Sequence, residues 1–285
     1  MNKFVFIKLG GSLITDKEQP RTPRLDKLKS LAVQIAAVRA RDPNLLLLIG
    51  HGSGSFGHVV AKKYATRDGL QPLPPSSPSH FLQKQGVGMR AYWHGFTEVW
   101  HEAAALNKIV MNALRQANIS AMAVPPSASV IAKNGKVVSW NLEPIKRALL
   151  EGIAPVVYGD VVFDDARGGT ILSTEDLFMH LAREMRPQRI LLAGIEDGVY
   201  ADFPARKHKV ESVTPESYEK IRSSVGASAS TDVTGGMDSK VQQMLSLVEE
   251  IPDISVQLFS GEKAGNLKRV LEGEVLGTLM HKNQS

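Results

Sequence analysis

Two short apolar runs near the amino terminus, Phe4 to Leu9 (FVFIKL) and Leu45 to Ile49 (LLLLI), each lead into glycines and enclose a stretch of helical spacing. Apolar residues at 25, 28, 31, 32, 35, 36 and 38 form one face of a helix from Leu25 to Ala40. A continuous apolar run of this length is the pattern of a strand buried on both faces. Strand, helix and strand with no hairpin between them imply a right-handed βαβ crossover joining parallel strands. A chain that opens this way is committed to a parallel sheet with helices packed on it.

The remaining sequence keeps the rhythm. Gln71 to Ser79 (QPLPPSSPS) reads as a loop. Residues 87 to 117 read as one or two helices with an apolar face that includes Tyr92, Phe96, Val99, Ala103 and Leu106. Ser129 to Trp140 reads as a hairpin closed by Asn134-Gly135, a pair that favours a type I′ turn. Further on, the pattern predicts helices over 58–64, 142–150 and 238–250, and a helix capped by Thr174 that runs to Met185. Strands are predicted over 154–158, 161–163, 189–192 and 255–259. No internal repeat or low-complexity tract appears, so the expectation is one α/β domain over 1–285. Its form is a three-layer αβα sandwich around one continuous, mostly parallel sheet, with an N-terminal lobe to about residue 170 and a C-terminal lobe after it.

Composition narrows the partners. The 285 residues carry a formal net charge of +5, which suits an anionic ligand, but Lys and Arg are scattered and form no stripe for nucleic acid. With no cysteine there is no disulfide, thiolate nucleophile or cysteine metal site. The opening MNKFVFIKLGGS is interrupted by Lys8 too early for a signal peptide, and no apolar run approaches the ~20 residues of a membrane helix. A cytoplasmic protein that binds no membrane is expected.

Three glycine turns fall at strand-to-helix junctions: Lys8 to Ser12 (KLGGS), Gly50 to Gly57 (GHGSGSFG) and Ser230 to Lys240 (STDVTGGMDSK). Such turns leave backbone N–H groups free at a strand's carboxyl end, beside a helix start, where phosphate binds well. The first and third have lysines at or near them: Lys8 and Lys17 for the first, Lys240 for the third. The second has the G-x-G-x-x-G spacing at Gly52, Gly54 and Gly57. The acidic residue that a dinucleotide site needs about 20 positions on is replaced by the Pro/Ser loop, so a phosphate fits there and a nicotinamide dinucleotide does not. No Walker loop and no protein-kinase H-R-D or D-F-G motif is present. His51, His94 and His101 have no metal-binding spacing and read as structural or exposed.

These blocks resemble the amino acid kinase superfamily. The resemblance is carried, in family order, by KLGGSLITDK (8–17), GHGSGSFGH (50–58), YGDVVFD (158–164), STED (173–176), GIEDGVYA (194–201), TDVTGGMDSK (231–240) and FSGEKAGNLKRVLEGEVLGT (259–278). Related kinases of acetylglutamate, glutamate, aspartate or uridylate share the opening lysine and the glycine loops. The S-F-G-H ending, with His58, is similar to the members that accept a phosphate group, the isopentenyl phosphate kinases, and to fosfomycin kinases. Ser53 stands where a glycine is usual, which reduces backbone freedom at that position.

The resemblance implies transfer of a phosphoryl group from ATP to isopentenyl phosphate, with Mg²⁺ on the β- and γ-phosphates and a homodimer as the assembly. Lys8, Lys17 and Lys240 would contact the donor phosphates and the group in transit. Gly10, Gly11 and Ser12, together with Gly54, would offer N–H groups to the nucleotide; Ser53, Gly54 and Gly159 would hold the acceptor phosphate. His58 would donate a hydrogen bond to it, and Asp160 would fix the lysines in place. Asp197, Tyr200, Gly235 and Gly236 would belong to the nucleotide site. The apolar residues Met89, Tyr92, Trp93 and Phe96 are candidates for a tail pocket. Two alternatives stand beside this reading: a kinase of another small phosphate or phosphonate such as fosfomycin, and a regulatory nucleotide-binding module without catalysis.

Overall fold

The structure, a computed structural model, describes residues 3–70, 87–202, 205–221 and 236–282. The loop predicted at 71–79 and most of the turn at 230–236 lie outside these residues.

The opening βαβ unit forms as its pattern requires. Strand β1 (Phe4–Leu9) runs parallel to β2 (Leu46–His51), and α1 (Leu25–Arg41) connects them after a one-turn helix at Gly11–Ile14. Beyond β2 come α2 (Gly54–Lys63) and α3 (Val87–Gln116), the latter one unbroken helix. Strand β3 (Ala121–Ala123) lies at one edge of the sheet, next to β4 (Ala154–Tyr158), which borders β2. The chain then crosses to the other side of β1, where β5 (Arg189–Gly194) pairs with β1 and β6 (Ser255–Ser260) pairs with β5, all parallel. Strands Thr278–Met280 and Ser212–Val213 finish an eight-stranded sheet in which six of seven neighbouring pairs are parallel.

Alternation along the strands divides the interior into two layers. Phe6, Leu48, Val157, Ile190, Leu192 and Val256 face a core shared with α4 (Glu143–Leu150), α5 (Thr174–Met185) and α6 (Gly236–Glu250). Val5, Ile7, Leu9, Leu47, Ile49, Leu191 and Phe259 face the core shared with α1, α3 and the helix Asn266–Leu271. The expected αβα sandwich is therefore present.

Two expectations need correction. The sheet is not one continuous surface: the hairpin Val130–Lys133/Lys136–Trp140 joins strands Asp160–Asp164 and Gly168–Leu172 in a separate four-stranded sheet. The chain leaves the main sheet after Tyr158 and enters the second at Asp160, with only Gly159 between. The Asp164 carboxylate secures this second sheet by accepting backbone N–H bonds from Asn134, Gly135, Ala166 and Arg167. The second correction concerns α5, whose cap is Ser173. Ser173 and Asp176 form a reciprocal capping box, which leaves the Thr174 hydroxyl to donate to the His51 carbonyl.

His51, at the end of β2, is fully buried and stacked on Tyr158 with ring centroids 5.2 Å apart. Its Nδ1 lies 3.1 Å from the Gly52 carbonyl and its Nε2 lies 3.1 Å from Asn107 Nδ2. That network fits a neutral ring with the proton on Nδ1. Burial is the main reason that its pKa falls from 6.5 to about 4. Between those values the unfolded chain binds a proton that the folded chain refuses, so stability rises with pH across that window. From pH 6.5 down to about 4, His51 is expected to remove up to ~1.4 kcal/mol per pH unit. Urea unfolding of the wild type and His51→Gln at several pH values checks this; equal slopes would mean that another group is responsible.

Candidate active site

The order of the main sheet reverses at β1, since β2 lies on one side and the later strand β5 on the other. A crevice at the carboxyl ends of the strands is the expected ligand site at such a reversal. The cleft found there is lined by Lys8, Gly11, Ser12 and Lys17 from the first glycine loop and its continuation. Gly52, Ser53, Gly54, Gly57 and His58 line it from the second loop, and Gly159, Thr174, Glu175 and Lys240 come from later in the chain.

The two loops pack glycine against glycine. A Cβ on Gly11 would lie 2.7 Å from Gly54 Cα, and one on Gly52 would lie 2.9 Å from Gly11 N. Thr15 ties them together: its hydroxyl donates to the Gly11 carbonyl at 2.8 Å and accepts from Ser55 N–H at 2.9 Å. Gly54 has φ +52°, a left-handed backbone that glycine adopts without cost. Ser53, at φ −75° and ψ −19°, sits in ordinary right-handed helical space, so its side chain imposes no strain.

Each cation has its own support. Lys8 breaks the apolar run of β1 and is nearly buried; it forms an ion pair with the buried Glu175 in the first turn of α5. Burial alone would push the Glu175 carboxyl up, but the charges of Lys8 and Lys240 outweigh it and hold the group below its ordinary value. Lys17 lies in a turn closed by Asp16 N–H to the Thr22 carbonyl at 2.9 Å. That turn is fixed to the second loop by Arg21 N–H to the Ser55 carbonyl and Thr22 N–H to Ser55 Oγ. Lys240 projects from α6, which begins two residues earlier than its sequence pattern indicates, so this lysine opens the second helical turn.

The cleft therefore brings together Lys8, Gly11, Ser12, Lys17, Ser53, Gly54, His58, Gly159 and Lys240. Gly10, Asp160, Asp197 and Tyr200 are not among its lining residues. Asp160 is buried and accepts N–H bonds from Ser127 and Val161; burial, partly offset by these bonds, raises its pKa to about 6. The carboxylate found on Lys8 is Glu175, not Asp160. Glu175 was missed because STED also reads as a helix start, and nothing in sequence spacing aims its second acid at β1. Tyr200 donates to Asp197, which lies 4.0 Å from Lys263. Gly236 opens α6, while Gly235 lies outside the described residues.

His51 is structural, and His94 and His101 are exposed, as expected. Tyr92 and Phe96 are packed into a small core with Ala61, Val99 and Val161, Trp93 is half-buried, and Met89 is exposed. The apolar wall of the cleft is instead formed by Ala61, Val99, Ala103, Ile171 and Leu172.

Comparison with known proteins gives the family. The sequence pattern of the amino acid kinase family matches residues 3–260, and the chain belongs to that family. A protein named isopentenyl phosphate kinase from Methanocaldococcus jannaschii is 31% identical over 277 residues, covering 95% of this chain and 96% of that one. One of the same name from Methanothermobacter thermautotrophicus is 31% identical and covers 96% and 97% of the two chains. A solved structure described as isopentenyl phosphate kinase superposes with a TM-score of 0.79 at 27% identity, covering 97% of this chain and 99% of that one. Within its family, the chain belongs with the isopentenyl phosphate kinases.

Two substitutions test the site's construction, with Gly265→Ala, outside it, as a reference for the first. Gly265→Ala, at φ +82° with open space around it, should cost the ~1–2 kcal/mol of a left-handed alanine. Gly54→Ala carries that strain and also overlaps Thr15, adding ~1–3 kcal/mol, so urea unfolding should rank it clearly lower. Glu175→Gln leaves the Lys8 ammonium buried without this carboxylate, a change that typically costs ~3–5 kcal/mol. A falling Tm together with a lower kcat is expected; a variant matching the wild type in both would show that Lys8 does not depend on Glu175.

Proposed function

We propose that the chain transfers the γ-phosphoryl group of ATP to isopentenyl phosphate, giving ADP and isopentenyl diphosphate. The observation that carries this reading is the meeting of three lysines, two glycine loops and His58 in one cleft that continues into an apolar wall. The names of the similar proteins support it. A phosphate monoester has its second pKa near ~6, so its oxygen is already an anionic nucleophile at neutral pH. No general base is required, and the barrier is the repulsion between two phosphate groups.

The work of the residues is then positioning and charge neutralisation. Lys8 and Lys17 would lie on the γ-phosphoryl in transit, with Lys240 reaching the donor from the C-terminal half. Gly11 and Ser12 would give the donor its backbone contacts, since the Gly10 N–H already donates to the Ala193 carbonyl at 2.8 Å, with Asp197, Tyr200, Gly235 and Gly236 further along the nucleotide. Ser53, Gly54 and Gly159 would hold the acceptor phosphate, and His58 would donate a hydrogen bond to it. Asp160 would act as a buried support behind Gly159. Ala61, Val99, Ala103 and Ile171 would take the hydrocarbon, each buried methylene contributing ~0.8 kcal/mol.

Among the described residues no group of three or more acidic or histidine side chains is arranged to hold a metal ion. Magnesium belongs to the proposal as a companion of the nucleotide, ligated mainly by phosphate and water oxygens, where it would offset part of the donor's charge. The cysteine-free composition suits the reducing cytoplasm. A homodimer, an acceptor lobe to about residue 170 and a nucleotide lobe after it complete the reading. Among the described residues no helix is long and apolar enough to cross a membrane.

ADP release measured with isopentenyl phosphate, dimethylallyl phosphate, fosfomycin and acetylglutamate offered separately should show turnover with the isoprenoid phosphates. Turnover of acetylglutamate alone would sink the proposal. His58→Ala should lower kcat/KM for the acceptor by about 100-fold or more, the scale for losing one donor to a reacting anion, and leave ATP affinity nearly intact. An equal loss of ATP affinity would place His58 on the donor side.

A further inference from the structure

Arg67 is a cation of the cleft that the roles assigned above leave unused. It follows α2 in a short turn and lines the same cleft as His58 and Gly159. Although part of the side chain is exposed, its Nη1 is buried and has no hydrogen-bond partner. A buried guanidinium N–H left unpaired costs free energy that a bound anion would recover. Another nitrogen, Nη2, lies 3.7 Å from Asp176 Oδ2, a loose contact that leaves the guanidinium free to turn.

The backbone that carries Arg67 is held by two hydrogen bonds. Thr170 Oγ1 donates to the Arg67 carbonyl at 2.7 Å, and Leu70 N–H donates to the Arg167 carbonyl at 2.8 Å, so the turn is held against the strand Gly168–Leu172. Asp176 is in turn locked by Ser173, whose N–H and hydroxyl donate to the same Oδ2 at 2.8 and 2.7 Å. Ser173 Cα lies within 3.8 Å of where a Cβ on Gly159 would be. The chain of contacts from Arg67 through Asp176 and Ser173 thus ends beside Gly159, at the acceptor end of the cleft.

We propose that Arg67 is a further acceptor-binding residue, whose loosely held guanidinium turns its unpaired Nη1–H out of its buried position to hydrogen-bond the phosphate of the monoester in the cleft it shares with His58. This rests on the phosphate-acceptor reading of the site. A guanidinium matches the geometry of carboxylate and phosphate alike, but it attracts a doubly charged phosphate more strongly than a singly charged carboxylate. Arg67 would therefore select a dianionic acceptor and help offset its repulsion from the incoming phosphoryl group.

The test separates the proposal from the reading beneath it. Turnover of isopentenyl phosphate by the wild type decides the reading. The role of Arg67 is decided by binding of isopentenyl phosphate, and of inorganic phosphate alone, to wild type, Arg67→Lys and Arg67→Gln by calorimetry without ATP. Arg67→Gln should weaken both by about 10- to 100-fold, the scale of a hydrogen bond to a charged group. Arg67→Lys should recover part of the loss, and added guanidinium ion should partly rescue an Arg67→Ala variant. In steady state KM for the acceptor should rise with little change in KM for ATP. Unchanged phosphate affinity with a lowered Tm would assign Arg67 a structural role, and a rise in KM for ATP alone would place it on the donor; either result overturns the proposal.

Discussion

Strands β1 and β2 run parallel with Lys8 beside Gly50 and Leu9 beside His51, so both chains leave the sheet at one level, about 5 Å apart. Whatever follows them must share that space. Only glycines permit it: side chains on Gly11, Gly52 or Gly54 would occupy one another's backbone or the Thr15 hydroxyl that joins the loops. The consequence is chemical as well as steric. Two glycine loops open onto one cleft, which under the proposed function would hold donor and acceptor phosphates side by side. The register of one strand pair thereby sets the distance over which a phosphoryl group would travel.

A site built to receive two polyanions must keep its cations in place before the anions arrive. Lys8 comes from a buried strand, where an unpaired ammonium would be costly, and Glu175 answers that charge from the start of α5. The same carboxylate feels Lys240 from α6, so one acid links a strand of the first half to a helix of the second. Charges preorganised in this way need little rearrangement when phosphate charge develops between them. Asp160, one residue from Gly159, instead accepts backbone N–H bonds from Val161 in its own strand and from Ser127 in the turn Pro126–Ala128.

How far the sequence could be read follows from how local each signal is. Continuous apolar runs, helical periodicity and the Asn134-Gly135 turn act within a few residues, and those elements appear with boundaries shifted by at most two positions, except α2, which begins at Gly54, four residues before the expected start at His58. The split into two sheets was not legible, because it depends on a single-residue break at Gly159 between strands that look alike in pattern. Glycine loops and lysines announced the cleft, since phosphate chemistry restricts residue types. The partner of Lys8 did not, because Glu175 reaches it only through the crossover that sets α5 behind β1. Arg67 carried no signal either: it lies in a turn after a helix, and only the return of the chain along Gly168–Leu172 aims it inward.

The fold by itself leaves the acceptor undecided, since one scaffold serves several acceptors and function resides in the site. The distinguishing information lies on a single face of α2. Gly54, Gly57, His58 and Ala61 recur at helical spacing and all line the cleft. The N-terminal end of that stripe presents backbone N–H groups and an imidazole, suited to an anionic head. Seven residues further on, about 10 Å along the axis, Ala61 meets Val99 and Ile171 and the surface is apolar. A ligand lying along this helix must be charged at one end and hydrocarbon at the other. An amino acid would set charge against the apolar side chains of Ala61 and Val99, a costly placement. The order of polar and apolar residues on one short helix therefore argues for a lipid-like phosphate monoester more directly than the glycine loops shared with other kinases of this fold.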